Sequence, residues 1–591
     1  GNSGIWRDFS KQNTWTANAY VNYTKTFAKK HNLNVMAGVN AEEEEYKYLY
    51  GTRNVMYDQE GYPELNMAGK DGQDLSWNHT SRASAGYFGR INYDYKGIYL
   101  LELNGRYDGS SRFPHTDQWA FFPSASIGYR FSEEAYFAPL KHIVSNGKLR
   151  ASFGEIGNEA VGDYMFEQLI SQRLNNKSTG YIYWIENNNA NANLLTMYNM
   201  PDLVSSTLTW ERIRTLNIGL DLGLLNDELT IGFDWFQREN RDMLAPAQVL
   251  PNTLGASAPY ENAGTLRTRG WELNLNWRHT FGDFDVYANF NIGDSKTKVT
   301  KWDNDSKLLS TYYTGKTYGD IFGFETDRYF EEKDFTSQNA DGSWNYANGI
   351  ASQAGLESGN FHYGPGDVKF KDLDGNGKID GGKGTADDHG DLKVIGNSMP
   401  RYEYSFHLGG AWKGIDLDLY FQGVGKREDW TTSSLNLPAM VHADVAIYSH
   451  QTSYNKVLWN SDYTAITGYE VNQGNRYPRL YRGTNNSGGT VSGIANGCNN
   501  YYPQSRYLTD MSYLRLKNVT VGYTLPKEWT RKAYIEKARI YFSGSNLFLL
   551  HKGNDLPVDP EISTGNGLTA GGWGRIAPIT RTFSFGVQVT L

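Results

Sequence analysis

The chain has 591 residues and a formal net charge of −8, with 63 glycines, 42 tyrosines and one cysteine. The negative balance, with no Lys/Arg stripe along the chain, excludes nucleic acid as a partner, and Cys498 alone makes neither an internal disulfide nor a metal-ligand spacing. A mean hydropathy of −0.60 and the absence of any apolar run near the ~20 residues of a spanning helix exclude a helical membrane protein.

Gly1-Asn2-Ser3-Gly4 has neither an initiator methionine nor a signal peptide, so the chain reads as a mature or truncated portion of an exported protein. Period-two patterning then predicts strands near Thr14–Tyr23, Leu33–Ala41, Arg82–Tyr95, Ile98–Asp108, Ala120–Phe131 and Lys148–Gly154. Next, Leu216, Ile218, Leu220, Leu222 and Leu224 alternate with Asn217, Gly219, Asp221 and Gly223. Leu229, Ile231, Phe233 and Trp235 follow after an Asn226-Asp227 turn that suits a tight hairpin. The pattern returns over Trp271–Trp277 and Phe284–Ile292, then over Arg401–Trp412, Ile415–Phe421, Tyr513–Leu525, Ala538–Asn546 and Thr582–Leu591. The gaps alternate strictly. Odd-numbered gaps run from roughly two to sixteen residues and even-numbered ones from roughly eleven to more than a hundred, the rhythm of a transmembrane antiparallel β-barrel with short periplasmic turns and long extracellular loops. The rival fold, a soluble β-sandwich or propeller, lacks a reason for leucines and aromatics at every second position in strand after strand, and no period of about 40 residues marks blades. Trp15, Trp235, Trp271, Trp277 and Trp412 share the oily parity and read as lipid or interface anchors.

The long loops, near 295–400 and 424–511, carry the candidate sites. Asp372-Leu373-Asp374-Gly375-Asn376-Gly377-Lys378-Ile379-Asp380 places oxygen donors at the first, third, fifth and ninth positions, a glycine at the sixth and the Lys378 carbonyl at the seventh, as in a calcium-binding EF-hand loop. The twelfth position is Lys383 rather than glutamate, so a remaining ligand is expected from Asp387 or Asp388; the alternative is a metal-free Asp/Gly turn. Loop aromatics beside amides, namely Tyr183, Trp184, Trp430, Trp459, Tyr501, Tyr502 and Trp573, offer ring faces for sugars, with packing of the loops or the seat of a partner lid as the alternative. Catalytic motifs are absent from the sequence: there is no His-Glu-x-x-His, nucleophile elbow or P-loop. Gly565-Asn566-Gly567-Leu568-Thr569-Ala570 lacks the βαβ context of a dinucleotide turn.

The runs NYDYKGIYLLELNGRYDGSSRF (92–113), FFPSASIGYRFSEE (121–134), VIGNSMPRYEYSFHLGGAWKGIDLDLYFQG (394–423) and SYLRLKNVTVGYTLP (512–526) resemble the SusC/RagA-type branch of TonB-dependent outer-membrane transporters. The resemblance implies a 22-stranded barrel around an N-terminal plug, of which residues 1–591 would be the C-terminal fifteen strands, to be completed by the chain's own N-terminal plug and strands. It also implies active import powered by a TonB-ExbB-ExbD energy transducer and a SusD-like surface lipoprotein as lid. The cargo would be an oligosaccharide, or a peptide in some relatives. The terminal run RTFSFGVQVTL (581–591) departs from the usual aromatic last residue by ending in Leu591. Rivals of other classes are a secreted glycan-binding or glycan-degrading β protein and a passive porin or adhesin.

Overall fold

The computed structural model describes residues 4–54, 64–69, 73–168, 170, 172–174, 196–198, 203–205, 208–246, 259–357, 361–430, 436–438, 447–480, 499–561 and 579–591. Fifteen strands form one antiparallel sheet: β1 Gly4–Phe27, β2 His31–Asn54, β3 Asp74–Tyr95, β4 Tyr99–Ser110, β5 Trp119–Tyr129, β6 Val144–Asn158, β7 Glu211–Leu224, β8 Leu229–Pro246, β9 Tyr260–Phe281, β10 Phe284–Lys301, β11 Arg401–Trp412, β12 Ile415–Lys426, β13 Tyr513–Thr524, β14 Lys537–Lys552 and β15 Thr582–Thr590. Each strand pairs with its neighbours in sequence. All fifteen expected strands are present. The connections alternate as expected, with 28–30, 96–98, 130–143, 225–228, 282–283, 413–414 and 525–536 on one side and 55–73, 111–118, 159–210, 247–259, 302–400, 427–512 and 553–581 on the other.

Turn chemistry fixes the tight side. Lys96-Gly97 (φ 55° and 66°) and Lys413-Gly414 (φ 46° and 90°) both take positive φ, as a two-residue turn matched to the strand twist requires. The turn expected at Asn226-Asp227 is wider: Leu225, Asn226 and Asp227 all have positive φ, and the Asp227 carboxylate accepts from Ser145 Oγ at 2.6 Å.

The chain divides into two compact units, the first comprising 1–135, 148–218 and 237–266, the second 136–147, 219–236 and 267–591. In the first unit the register aligns apolar positions across strands: Val35 faces Ile91, Ile91 faces Leu103, and Leu101 faces Ile127. Directly opposed residues share one side of a sheet, so these side chains make a continuous band on one face. Tyr99 and Tyr129 stack at 5.3 Å near the short turns and Tyr107 and Trp119 at 5.1 Å toward the long loops, which gives the band an aromatic border at each end. Its members are solvent-exposed, Ile127 at 60% and Val21 at 74%. The opposite face carries Asn104, which donates to Glu102 at 2.8 Å, and Arg106, which meets Asp108 at 2.8 Å.

In the second unit the same alignment runs through Ala288, Leu408, Leu419 and Val519, then through Val521, Phe542 and Phe585. Trp15 in the first unit and Trp412 in the second are about half exposed on this apolar side, as expected for anchors. Several strands are longer than the ~9–11 residues that cross a bilayer: β8 and β10 have 18 residues, β3 and β9 have 22, and β1 and β2 have 24 each. The outer parts of β1 and β2, including Glu42-Glu43-Glu44-Glu45, lack the oily alternation by which a strand is legible in sequence.

Candidate functional site

The long connections 302–400 and 427–512 of the second unit fold together around an aromatic core in which Phe324, Tyr329, Phe330, Tyr363, Phe370 and Tyr507 are almost wholly buried. Phe324 stacks on Phe370 at 4.9 Å, and the Arg506 guanidinium lies 4.3 Å from the Tyr329 ring. Burial raises the Tyr363 and Tyr507 hydroxyls well above their ordinary range. Buried polar side chains hold the two connections to each other. Asp367, fully buried, accepts from Arg479 Nη2 at 2.6 Å, Asn500 Nδ2 at 2.8 Å and Gly364 N at 2.9 Å. Gln353 donates to Val368 O at 3.0 Å and accepts from Phe370 N at 2.6 Å, while Asn455 donates to Gly366 O at 3.0 Å. These bonds tie Asp367, Gln353 and Asn455 into the layer, and a buried polar group bonded in this way favours one packing.

This core takes two of the nominated ligand-binding aromatics. Tyr501 and Tyr502 are 4% and 2% exposed; Tyr501 packs edge-on against Tyr507 at 5.4 Å, and Tyr502 donates to Leu356 O at 2.9 Å. The expectation that they present free faces to cargo is corrected: their rings are spent on packing. Trp430 is half-buried against the same core. Trp459 stays exposed at 43% on the hairpin of Lys456–Trp459 and Ile466–Glu470, near Leu458, Tyr463 and Ile466, which are exposed too. Tyr183, Trp184 and Trp573, with Cys498 and the run at 565–570, lie outside the described residues.

The Asp372–Asp380 turn is stitched onto the core by Ser352, which donates to Gly377 O at 3.0 Å and accepts from Ile379 N at 2.9 Å, and by the buried Ile379 side chain. Gly375 and Gly377 have φ of 75° and 80°, open to glycine, and their N–H groups donate to the Asp372 carboxylate at 2.7 and 2.9 Å. Carboxylate oxygens of Asp372, Asp374 and Asp391 lie within 4.8 Å of one another. Three carboxylates this close form a hard-oxygen donor set of the kind that suits calcium. Asp391 is the residue the sequence reading missed. It is fully buried, accepts from Leu373 N at 2.6 Å and Asp380 N at 3.0 Å, and is raised above its ordinary pKa by burial, with the neighbouring Asp374 charge adding to this. The candidates Asp387 and Asp388 turn elsewhere, toward Lys307 Nζ at 2.9 Å and Lys383 Nζ at 3.8 Å. Asn376 and Asp380 cap turns, accepting from Lys378 N at 2.7 Å and Gly382 N at 2.8 Å. Lys378 keeps its backbone position in the turn.

Two acids record the electrostatics of the layer. Glu325 is held between Lys371 and Lys393, which pull its carboxyl down to about 2. Asp429 is fully buried beside Arg427 (2.9 Å), and burial outweighs that cation to push its carboxyl up to about 6. On the polar face of the sheet in the same unit, Asp418 accepts from Tyr287 and meets His407 Nε2 at 2.6 Å, and Asp416 accepts from Arg539 Nε at 2.9 Å. Within each unit the sheet is therefore greasy on one side and hydrogen-bonded on the other.

A family profile described as "TonB dependent receptor-like, beta-barrel" matches residues 2–387. The chain belongs to the TonB-dependent receptor β-barrel family. Such receptors are outer-membrane proteins, so the exposed apolar band is a lipid-facing one. The chain is 27% identical to TonB-dependent receptor P3 of Formosa agariphila over 98% of its own length and 52% of the relative's. It is 25% identical to TonB-dependent receptor SusC of Bacteroides thetaiotaomicron over 93% of its own length and 48% of that protein. Among solved structures it is similar to the RagAB peptide transporter, with a TM-score of 0.68 at 20% identity, covering all of this chain and 56% of that one. This chain thus spans about half the length of the relatives it matches. Family membership removes the secreted glycan-binding or glycan-degrading reading.

Proposed function

We propose that this chain is the barrel portion of an energy-driven importer that moves an oligosaccharide across the outer membrane without chemistry on the cargo. The long-loop layer captures cargo beneath a SusD-like lipoprotein, and TonB-ExbB-ExbD acts through the chain's own plug. The observation that carries this reading is the pairing of a lipid-facing sheet with a long-loop layer that has its own buried core: a structured mouth suits selective capture better than an open pore. The resemblance of the chain's motifs to the SusC/RagA-type branch supports the oligosaccharide, and the likeness to a structure titled a peptide transporter supports peptide as the second reading.

The calcium expectation is carried forward in revised form: Asp372, Asp374 and Asp391, with backbone carbonyls of the turn, hold a structural calcium ion that pins residues 372–391 to the core. Purifying the full receptor in detergent, identifying its co-purifying chains and bound solute by mass spectrometry, and measuring uptake with and without an active transducer tests the function. A lipoprotein partner, a bound glycan and transducer-dependent uptake are the expected results. Uptake that persists without the transducer overturns active import, and a bound peptide selects the second reading.

A further inference from the structure

Beyond its lipid-facing band the sheet made by β1, β2 and β3 continues in unbroken register, and its outward face changes character row by row. Odd-numbered residues of β1 from Trp15 to Tyr23 belong to the apolar band, and pairing without a register shift from Gly4 to Phe27 keeps that parity outward along the whole strand. The band ends where Trp15 stands opposite Glu43, its indole N–H donating to that carboxylate at 2.8 Å. Above it lies the row Asn13–Glu45–Ser81, then Lys11–Lys47–His79, then Phe9–Leu49–Trp77, then Arg7–Gly51–Leu75.

The acids of this face are spoken for: Glu45 meets Lys47 at 2.5 Å and His79 at 3.1 Å, and Glu43 holds Trp15. Arg7 meets Glu64 at 4.0 Å and Arg53 donates to Gln73 Oε1 and Leu65 O, both at 3.1 Å, whereas Lys11 has no acidic partner within 4.0 Å among the described residues. The upper tier is aromatic and apolar, with Phe9 64%, Leu49 36%, Trp77 58% and Leu75 70% exposed. At ~3.3 Å per residue the lysine row lies about 13 Å along the strand above the Trp15–Glu43 boundary, or about 10 Å in height once the ~35–45° tilt of barrel strands is allowed for. That is the depth of headgroups, where a basic side chain meets lipid phosphate.

We propose that this face binds a phosphorylated glycolipid of the surrounding outer leaflet. Its acyl chains lie on the apolar band, its phosphates on Lys11 and Lys47, and its sugar rings on Phe9 and Trp77. The order of the rows selects this occupant: grease, then acids closed by Trp15, Lys47 and His79, then the lysine row, then aromatic ring, continuous with a surface already in lipid. A protein partner would need no such continuity.

The test is native mass spectrometry and phosphate analysis of the full receptor extracted from its own membrane, in wild type, Lys11→Glu/Lys47→Glu and Lys11→Arg/Lys47→Arg forms. The expected result is retention of at least one phosphorylated glycolipid through detergent washing, an at least tenfold loss in the glutamate pair, and retention within twofold in the arginine pair. Delipidated wild type is then offered vesicles containing the bisphosphorylated glycolipid or its dephosphorylated form, and should bind the first at least tenfold better. Equal retention in the glutamate pair, equal binding of the dephosphorylated lipid, or loss of a stoichiometric protein in place of lipid overturns the proposal. If the glutamate pair fails to assemble, judged by heat-dependent gel migration, the vesicle comparison decides alone.

Discussion

The sheet and the long-loop layer are built from the same residue types and solve opposite problems. In the sheet, Ile127, Phe585 and Val587 lie 60%, 72% and 59% exposed, while polar side chains pair on the other face. In the loop layer Tyr329, Phe330 and Tyr363 are wholly buried, and the buried Asp367 among them is bonded by side chains more than 100 residues away, those of Arg479 and Asn500. The difference teaches that one part of the chain takes lipid as the solvent for its apolar surface, whereas the other takes itself. A substitution should therefore be judged by the medium its side chain meets rather than by exposure alone.

The largest effect is expected in the layer. Asp367→Ala strips the Arg479 guanidinium of its buried carboxylate, at a cost of about 3–5 kcal/mol. Limited proteolysis should then cut within 302–400 and 427–512 while heat-dependent gel migration still reports an assembled sheet; if both regions fail together, the two are not independent. Next comes a contrast on adjacent residues of β5. Ile127→Arg should cost about 2–4 kcal/mol and lower the amount reaching the outer membrane, because an arginine near mid-band faces hydrocarbon. Ser126→Arg, on the polar face, should be tolerated. In a water-solvated sheet a change at a residue as exposed as Ile127 would stay within about 0.5 kcal/mol.

Removal of calcium by a chelator, or Asp391→Asn, should speed cleavage within 372–391 by about tenfold or more, since an ion at 100 times its Kd contributes about 2.7 kcal/mol. Unchanged cleavage would return this turn to the metal-free reading. The smallest effect is on pH. Asp429 is pushed up to about 6, so the folded layer holds a proton that the unfolded chain gives up near its ordinary value of 3.8. Stability from this group is greatest below that value and falls as pH rises toward about 6, which makes the layer more resistant at pH 5 than at pH 7 by about 1 kcal/mol. Glu325, pulled down to about 2, acts in the opposite sense: its contribution is present above about 4.5 and is lost as pH falls toward 2. Protease resistance followed from pH 7 to pH 3 should rise and then drop, with Glu325→Gln flattening the drop.

The sheet was legible because lipid writes a period of two into every crossing strand, so Leu101, Leu103 and Ile127 declare their side without knowledge of partners. The outer parts of β1 and β2 were not, since Glu42 to Glu45 lie where no oily face is required. The calcium-type turn was legible in its first nine residues because glycines and oxygens must sit at fixed spacing there. Asp391 was hidden because it arrives from beyond the turn. Tyr501 and Tyr502 misled for a related reason: a tyrosine that stacks on sugar and one that fills a core carry the same local signal, and only the distant residues Tyr507 and Leu356 decide between them.

The central claim, that the apolar face of the sheet meets lipid, is tested most directly by spin labels placed one at a time at residues 125 to 129 of β5 in the reconstituted receptor, with the native Cys498 replaced. The account predicts a period of two, with labels at 125, 127 and 129 relaxed by oxygen dissolved in the bilayer and those at 126 and 128 by a water-soluble nickel chelate. Equal access of the chelate to all five positions would contradict it.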